Sequence, residues 1–114
     1  MSTTYNLFVD QGSDFAYTYT VKDNTGTIRN ISNYVGRAQL RRSFYSSSNV
    51  SFAVTIDDGT TGNVKISLTN AQTANLKYGR YVYDVELVDN VLATANVERV
   101  LEGIVVVYPE VTKA

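Results

Sequence analysis

The chain has 114 residues, 44% hydrophobic and 18% charged, with a formal net charge of −1. This is enough apolar material for the core of one domain, which excludes a disordered chain, and the near-neutral balance lacks the basic excess of a nucleic-acid binder. Cysteine and histidine are absent, which removes disulfides, thiol nucleophiles and the commonest general base and metal ligand, so no enzymatic activity, metal or cofactor is expected.

No apolar run reaches the roughly 18 residues of a membrane span, so no membrane partner is expected. Met1-Ser2-Thr3-Thr4 carries no positive side chain and leads into no apolar stretch, so no cleaved secretory signal is expected. Tyrosine is frequent, with nine residues, and Pro109 is the single proline. Both features favour a β-rich scaffold.

Tyr5 to Asp10 alternates, with Tyr5, Leu7 and Val9 on one side, and reads as the first strand. Gln11-Gly12-Ser13-Asp14 is a turn. Phe15, Tyr17, Tyr19 and Val21 share one face of a second strand, which ends at the turn Asp23-Asn24-Thr25-Gly26. After a connection anchored by Ile28, Ile31 and Tyr34, Val35 to Arg41 alternates again, with Ala38 and Leu40 inward and Arg37, Gln39 and Arg41 outward. The polar stretch Arg42–Val50, with its serine run, predicts a mobile or partner-ordered loop. Phe52, Val54 and Ile56 mark another strand, closed by the loop Asp57–Gly62.

Val64, Ile66 and Leu68 form the next strand. Thr69-Asn70-Ala71-Gln72 then has the form of a capping box, in which Thr69 accepts from a first-turn N–H and Gln72 reaches back. The helix it opens is at most about two turns and too short to stand alone. Leu76, with Ala71, is expected to plug one end of the core, and Gly79 to stop the element. Tyr81, Tyr83, Val85 and Leu87 face one way in the following strand; Val82, Asp84, Glu86 and Val88 face the other.

The last strand, Val97 to Tyr108, differs in kind. Strict alternation places Leu101, Val105 and Val107 on one face and Val100, Ile104, Val106 and Tyr108 on the other, so that both faces are apolar from Ile104 onward. An antiparallel sheet normally leaves one face wet, so something is expected to cover the second. Seven strands, one short corner helix and closely spaced turns predict a single domain, residues 1–114, with an all-β, antiparallel immunoglobulin-like sandwich fold. The Cys…Trp…Cys core of antibody domains is missing.

Several groupings admit a functional and a plainer reading. Arg37, Arg41 and Arg42 form a basic cluster that would suit an acidic partner or phosphate, or the solvated face of an edge strand. Asp57-Asp58-Gly59 lacks the ligand spacing of an EF-hand loop and reads as a turn. Asp84 and Glu86 lie side by side, as paired carboxylates do in glycoside hydrolysis, or as surface acids paired with arginine or lysine on a neighbouring strand. Tyr17, Tyr19, Tyr81 and Tyr83 are in phase with the core, whereas Tyr45, Tyr78 and Tyr108 are available for surface contact, including with sugars.

Taken together, Asp10-Gln11-Gly12-Ser13-Asp14-Phe15, Asn30-Ile31-Ser32-Asn33-Tyr34, Ala38-Gln39-Leu40-Arg41, the corner Leu68–Leu76, the strand Gly79–Leu87 and the closing Val97–Gly103 and Pro109–Thr112 resemble small virion structural proteins of tailed bacteriophages. The pattern is similar to the N-terminal immunoglobulin-like domain of phage upper-baseplate proteins and covers nearly the whole chain. The resemblance implies a non-enzymatic assembly part of the virion, made in the host bacterial cytoplasm and present in many copies or as a homo-oligomer. Its partners would be other tail or baseplate proteins. A head decoration or cement protein on the major capsid protein is the alternative, and a host-surface carbohydrate-binding or adhesion module is an alternative of another class. The candidate protein–protein interface comprises Arg37, Arg41, Arg42, Phe44 and Tyr45 around the serine-rich loop, and Val100, Ile104, Val106 and Tyr108 on the last strand.

Overall fold

The alternating stretches of the chain pair into two sheets packed face to face. The computed structural model describes residues 3–23, 25–43, 49–89 and 97–111. Among these, the strands are β1 (Thr3–Thr4), β2 (Leu7–Asp10), β3 (Phe15–Thr20), β4 (Tyr34–Arg41), β5 (Val50–Ser51), β6 (Ala53–Thr55), β7 (Asn63–Leu68), β8 (Gly79–Asp89) and β9 (Val97–Tyr108), with one helix, α1 (Asn70–Ala74), and a 3-10 turn at Gly59–Thr61. The long sheet places β1 and β2 beside β9, followed by β8, β4 and β5; the short sheet runs β3, β7, β6. The fold is an immunoglobulin-like β-sandwich.

Two expected strands are shorter than read, and each is preceded by a short strand that was not expected. The first, expected from Tyr5 to Asp10, is β2 alone; β1 precedes it across Tyr5 and Asn6, and both run parallel to β9, so the sandwich is antiparallel except at this edge. A parallel pair needs a long crossover, which the rest of the domain supplies. The second, expected from Phe52 to Ile56, is β6; β5 begins at Val50, at the end of the expected loop, and at Phe52 the chain leaves the long sheet after β5 and joins the short sheet as β6. Phe52 is buried at the crossing, and its N–H donates to the Ala38 carbonyl at 3.0 Å.

The core follows the period-two pattern. Leu7 and Val9 of β2, Val64, Ile66 and Leu68 of β7, and Val85 and Leu87 of β8 are buried between the sheets. Burying each such side chain is worth about 1.5–3 kcal/mol relative to exposure. Phe52 packs against Phe15 and, edge-on, against Tyr83, each with ring centroids 6.2 Å apart.

The capping box at the corner forms as expected: Thr69 Oγ1 accepts from the Gln72 N–H, and the Gln72 side chain accepts from the Thr69 N–H. Leu76 is buried, but Ala71 is exposed, and Thr73 takes the inward position instead. Its fully buried hydroxyl lies 2.8 Å from the Ser13 carbonyl and accepts from the Gly12 N–H. Asp14 adds a second tie by accepting from the Asn70 N–H at 2.7 Å. The helix ends at the Asn75 cap rather than at Gly79, which opens β8. The corner is thus held by the Gln11–Asp14 turn as much as by its own cap.

The last strand does not alternate throughout. Val85 faces Leu101 while Glu86 faces Arg99, so Val100 is an extra residue in β9. Such a bulge turns two successive side chains the same way, and Val100 and Leu101 are both buried. The expectation that Val100 lies on the outer face with Ile104 is therefore corrected: it belongs to the core. Beyond the bulge the phase is inverted, which sets Glu98 opposite the inward Leu87. There Glu98 takes both short contacts from Arg29, at 2.8 and 2.9 Å, and closes that end of the sandwich.

Candidate protein interface

The outer face of the long sheet is built from the residues that alternation turns away from the core. The pairing of β2, β9, β8 and β4 arranges them in bands across the strands. At one end Phe8 lies opposite Val106, with Tyr108, Ile104 and Val82 alongside. Phe8 and Tyr108 are 60% and 48% exposed, and their rings stack at 6.2 Å. Val106, Ile104 and Val82 are half-buried. At the far end Val35, Val88 and Val97 form a smaller apolar band, with Val35 and Val97 exposed.

Between the apolar ends runs an ionic band. Arg37 Nε donates to Glu86 at 2.7 Å. Arg99 lies 3.4 Å from Asp84 and 3.1 Å from Glu102. Arg41 sits beside Gln39, donating to its side-chain oxygen at 3.0 Å. A concave depression of about 530 Å³ opens over this band, lined by Asp84, Glu86 and Glu102 together with Val82 and Ile104. Partial burial raises the Asp84 pKa, Glu86 and Glu102 push it the same way, and Arg99 and Arg41 oppose them. Exposed ion pairs of this kind add little stability; they keep the middle of the face neutral.

The three arginines of the expected basic cluster do not form one patch. Arg37 and Arg41 face outward among carboxylates. Arg42, one residue out of phase, turns to the end of the sheet, stacks 4.6 Å over the Tyr81 ring and donates to the Tyr78 and Arg80 carbonyls. The cluster is corrected to two outward arginines and one that caps the core. Phe44 and Tyr45 lie outside the described residues, as do most of the serine-rich stretch and the loop at 90–96. Ile104, Val106 and Tyr108 stand on the outer face as expected.

The Asp57–Gly62 stretch is a capped turn: the Asp58 carboxylate accepts from the Thr60 N–H and hydroxyl, and these bonds lower its pKa. Tyr81 and Tyr83 are buried and Tyr78 is exposed. Among the described residues no group of three or more acids is placed to hold a metal ion, and no helix is long and apolar enough to cross a membrane.

No family model matches the chain, and no curated protein matches it in sequence. Among solved structures it is similar to AggA, the major subunit of aggregative adherence fimbriae type I from Escherichia coli, with 13% identity, 90% of this chain and 89% of that chain covered, and a TM-score of 0.45. It is also similar to a family 123 glycoside hydrolase from Clostridium perfringens, with 14% identity, 90% of this chain but 22% of that chain covered, and a TM-score of 0.34. Both likenesses are too distant to bear on activity or partners.

The residue that sequence reasoning missed is Phe8. Its signal is an aromatic at the outward phase of an alternating strand, and it gains meaning only beside Tyr108. The parallel pairing of β2 with β9 makes that contact, since Phe8 faces Val106 and Asp10 faces Tyr108.

Proposed function

We propose that this chain is a non-enzymatic structural protein of a tailed-bacteriophage virion, a tail or baseplate component that works through protein–protein contact. The observation that carries the assembly role is the apolar end of the outer face, where Phe8 and Tyr108 stand exposed and stacked beside Val106 and Ile104. A contiguous apolar patch rimmed by charge is characteristic of an interaction surface rather than of a solvated sheet. The assignment to a virion rests on the resemblance of the corner, the Gly79–Leu87 strand and the closing stretch to small phage structural proteins. Mass spectrometry of intact, purified particles of the phage that encodes the chain is the test. The protein is expected among the particle components and, by immunogold labelling, on the tail. Labelling of the capsid instead would support a head decoration role, and absence from the particles would end the proposal.

A further inference from the structure

Resting on that assembly reading, we infer that the outer face of the long sheet pairs with the same face of a second copy of this chain. Three features of the face select this occupant.

The first is its layout. An ionic band separates two apolar bands, one around Phe8, Val106 and Ile104 and one around Val35, Val88 and Val97. Such a face complements itself. Two copies related by a two-fold axis in the plane of contact lay apolar on apolar at both ends and ionic on ionic in the middle, as an isologous interface requires.

The second is charge. The outward positions of β2, β4, β8 and β9 carry four arginines (37, 41, 80 and 99) and four carboxylates (10, 84, 86 and 102). A formally neutral, mixed face neither repels its own copy nor attracts a strongly acidic or basic partner.

The third is size. With β2 spanning 4 residues, β4 8, β8 11 and β9 12, standard rise and strand spacing give four strands a planar footprint of roughly 570 Å². Side-chain relief enlarges this towards the ~800 Å² per partner of a stable interface. A smaller patch would support only a transient contact.

The test uses the full chain in solution. Sedimentation analysis over a concentration series is expected to show a reversible monomer–dimer equilibrium. Ile104→Glu, which sets a charge in the apolar band around Phe8 without touching the core, is expected to weaken it at least about tenfold while circular dichroism stays that of the wild type. Because the chain has no cysteine, single thiols report the surface directly. In Ile104→Cys, alkylation is expected to slow as protein concentration rises, whereas Thr18→Cys, on the outer side of β3 in the short sheet, is expected to react at a constant rate. A wild-type protein that stays monomeric throughout overturns the inference. So does a dimer that tolerates Ile104→Glu, or one that protects position 18 rather than 104. These outcomes concern the surface alone: a monomer found among the particle components would leave the virion role standing and remove only the self-association.

Discussion

Tyr83 and Gly103 are cross-strand partners in β8 and β9, and the Tyr83 hydroxyl reaches past Gly103 to donate to the Tyr5 carbonyl. The two residues act together on the link between β1 and β2. A Cβ on Gly103 would lie 2.3 Å from the Tyr5 oxygen, so only glycine lets the chain between β1 and β2 pass so close. Burial raises the Tyr83 pKa well above that of a free tyrosine, with nearby Tyr17 and Tyr5 adding to it, which keeps the hydroxyl a donor.

Gly103→Ala is expected to destabilise the fold by about 1–3 kcal/mol through overpacking. Tyr83→Phe is expected to cost about 1–2 kcal/mol by leaving the Tyr5 carbonyl without its donor. Urea denaturation checks both. Because both changes act on the same carbonyl, the double variant should cost less than the sum of the two; simple additivity would show that the contacts are independent.

The bulge separates Val100 from Ile104, which the sequence alone places on one face. Val100→Asp puts a charge into the core and is expected to cost at least about 3 kcal/mol, enough to abolish cooperative unfolding or soluble expression. Ile104→Asp, on the half-exposed outer face, is expected to fold and to lose under about 1.5 kcal/mol. Equal tolerance at both positions would contradict the β9 register.

Asp84 makes stability depend on pH. Its pKa is raised in the folded protein, so the folded state binds more protons than the unfolded one, and stability falls as pH rises from the ordinary aspartate value through the raised one. Asp84→Asn removes that penalty, and Arg99 keeps Glu102 as partner. The variant is expected to be more stable than the wild type at neutral pH by under about 1 kcal/mol. The advantage should vanish as pH falls below the aspartate range. Thermal unfolding across pH measures this, and a wild type that outlasts the variant at neutral pH would show that the Arg99 contact outweighs the burial.

The corner depends on its cap. Thr69→Ala removes the acceptor for the Gln72 N–H and is expected to cost about 1 kcal/mol. Thr73→Val, which leaves the Gly12 N–H and the Ser13 carbonyl without the buried hydroxyl, is expected to cost about 1–3 kcal/mol. If the corner is seated mainly on the Gln11–Asp14 turn, the second change is the more damaging, and chemical denaturation of the two variants ranks them.

Local chemistry was legible without coordinates. Alternation gave the inward sets of β4, β7 and β8 because a strand's side-chain period is a property of the backbone, and the Thr69–Gln72 capping box was legible because both partners lie within one turn. Long-range pairing was not. Nothing near Tyr5 announces that β1 and β2 run parallel to the last strand, since that partner, with the Gly103 that the Tyr5 carbonyl passes so closely, lies almost a hundred positions away. The extra residue at Val100 is equally silent, because a bulge is defined by its partner strand. That is why Val100 moved from the outer face to the core and Arg42 from the basic cluster to the ring of Tyr81. The sequence by itself determined a β-sandwich with a capped corner and a last strand apolar on both sides. Only the tertiary structure decided which residues share the outer face, because that face is assembled from strands distant in the chain, whose register is set by the packing of the core beneath them.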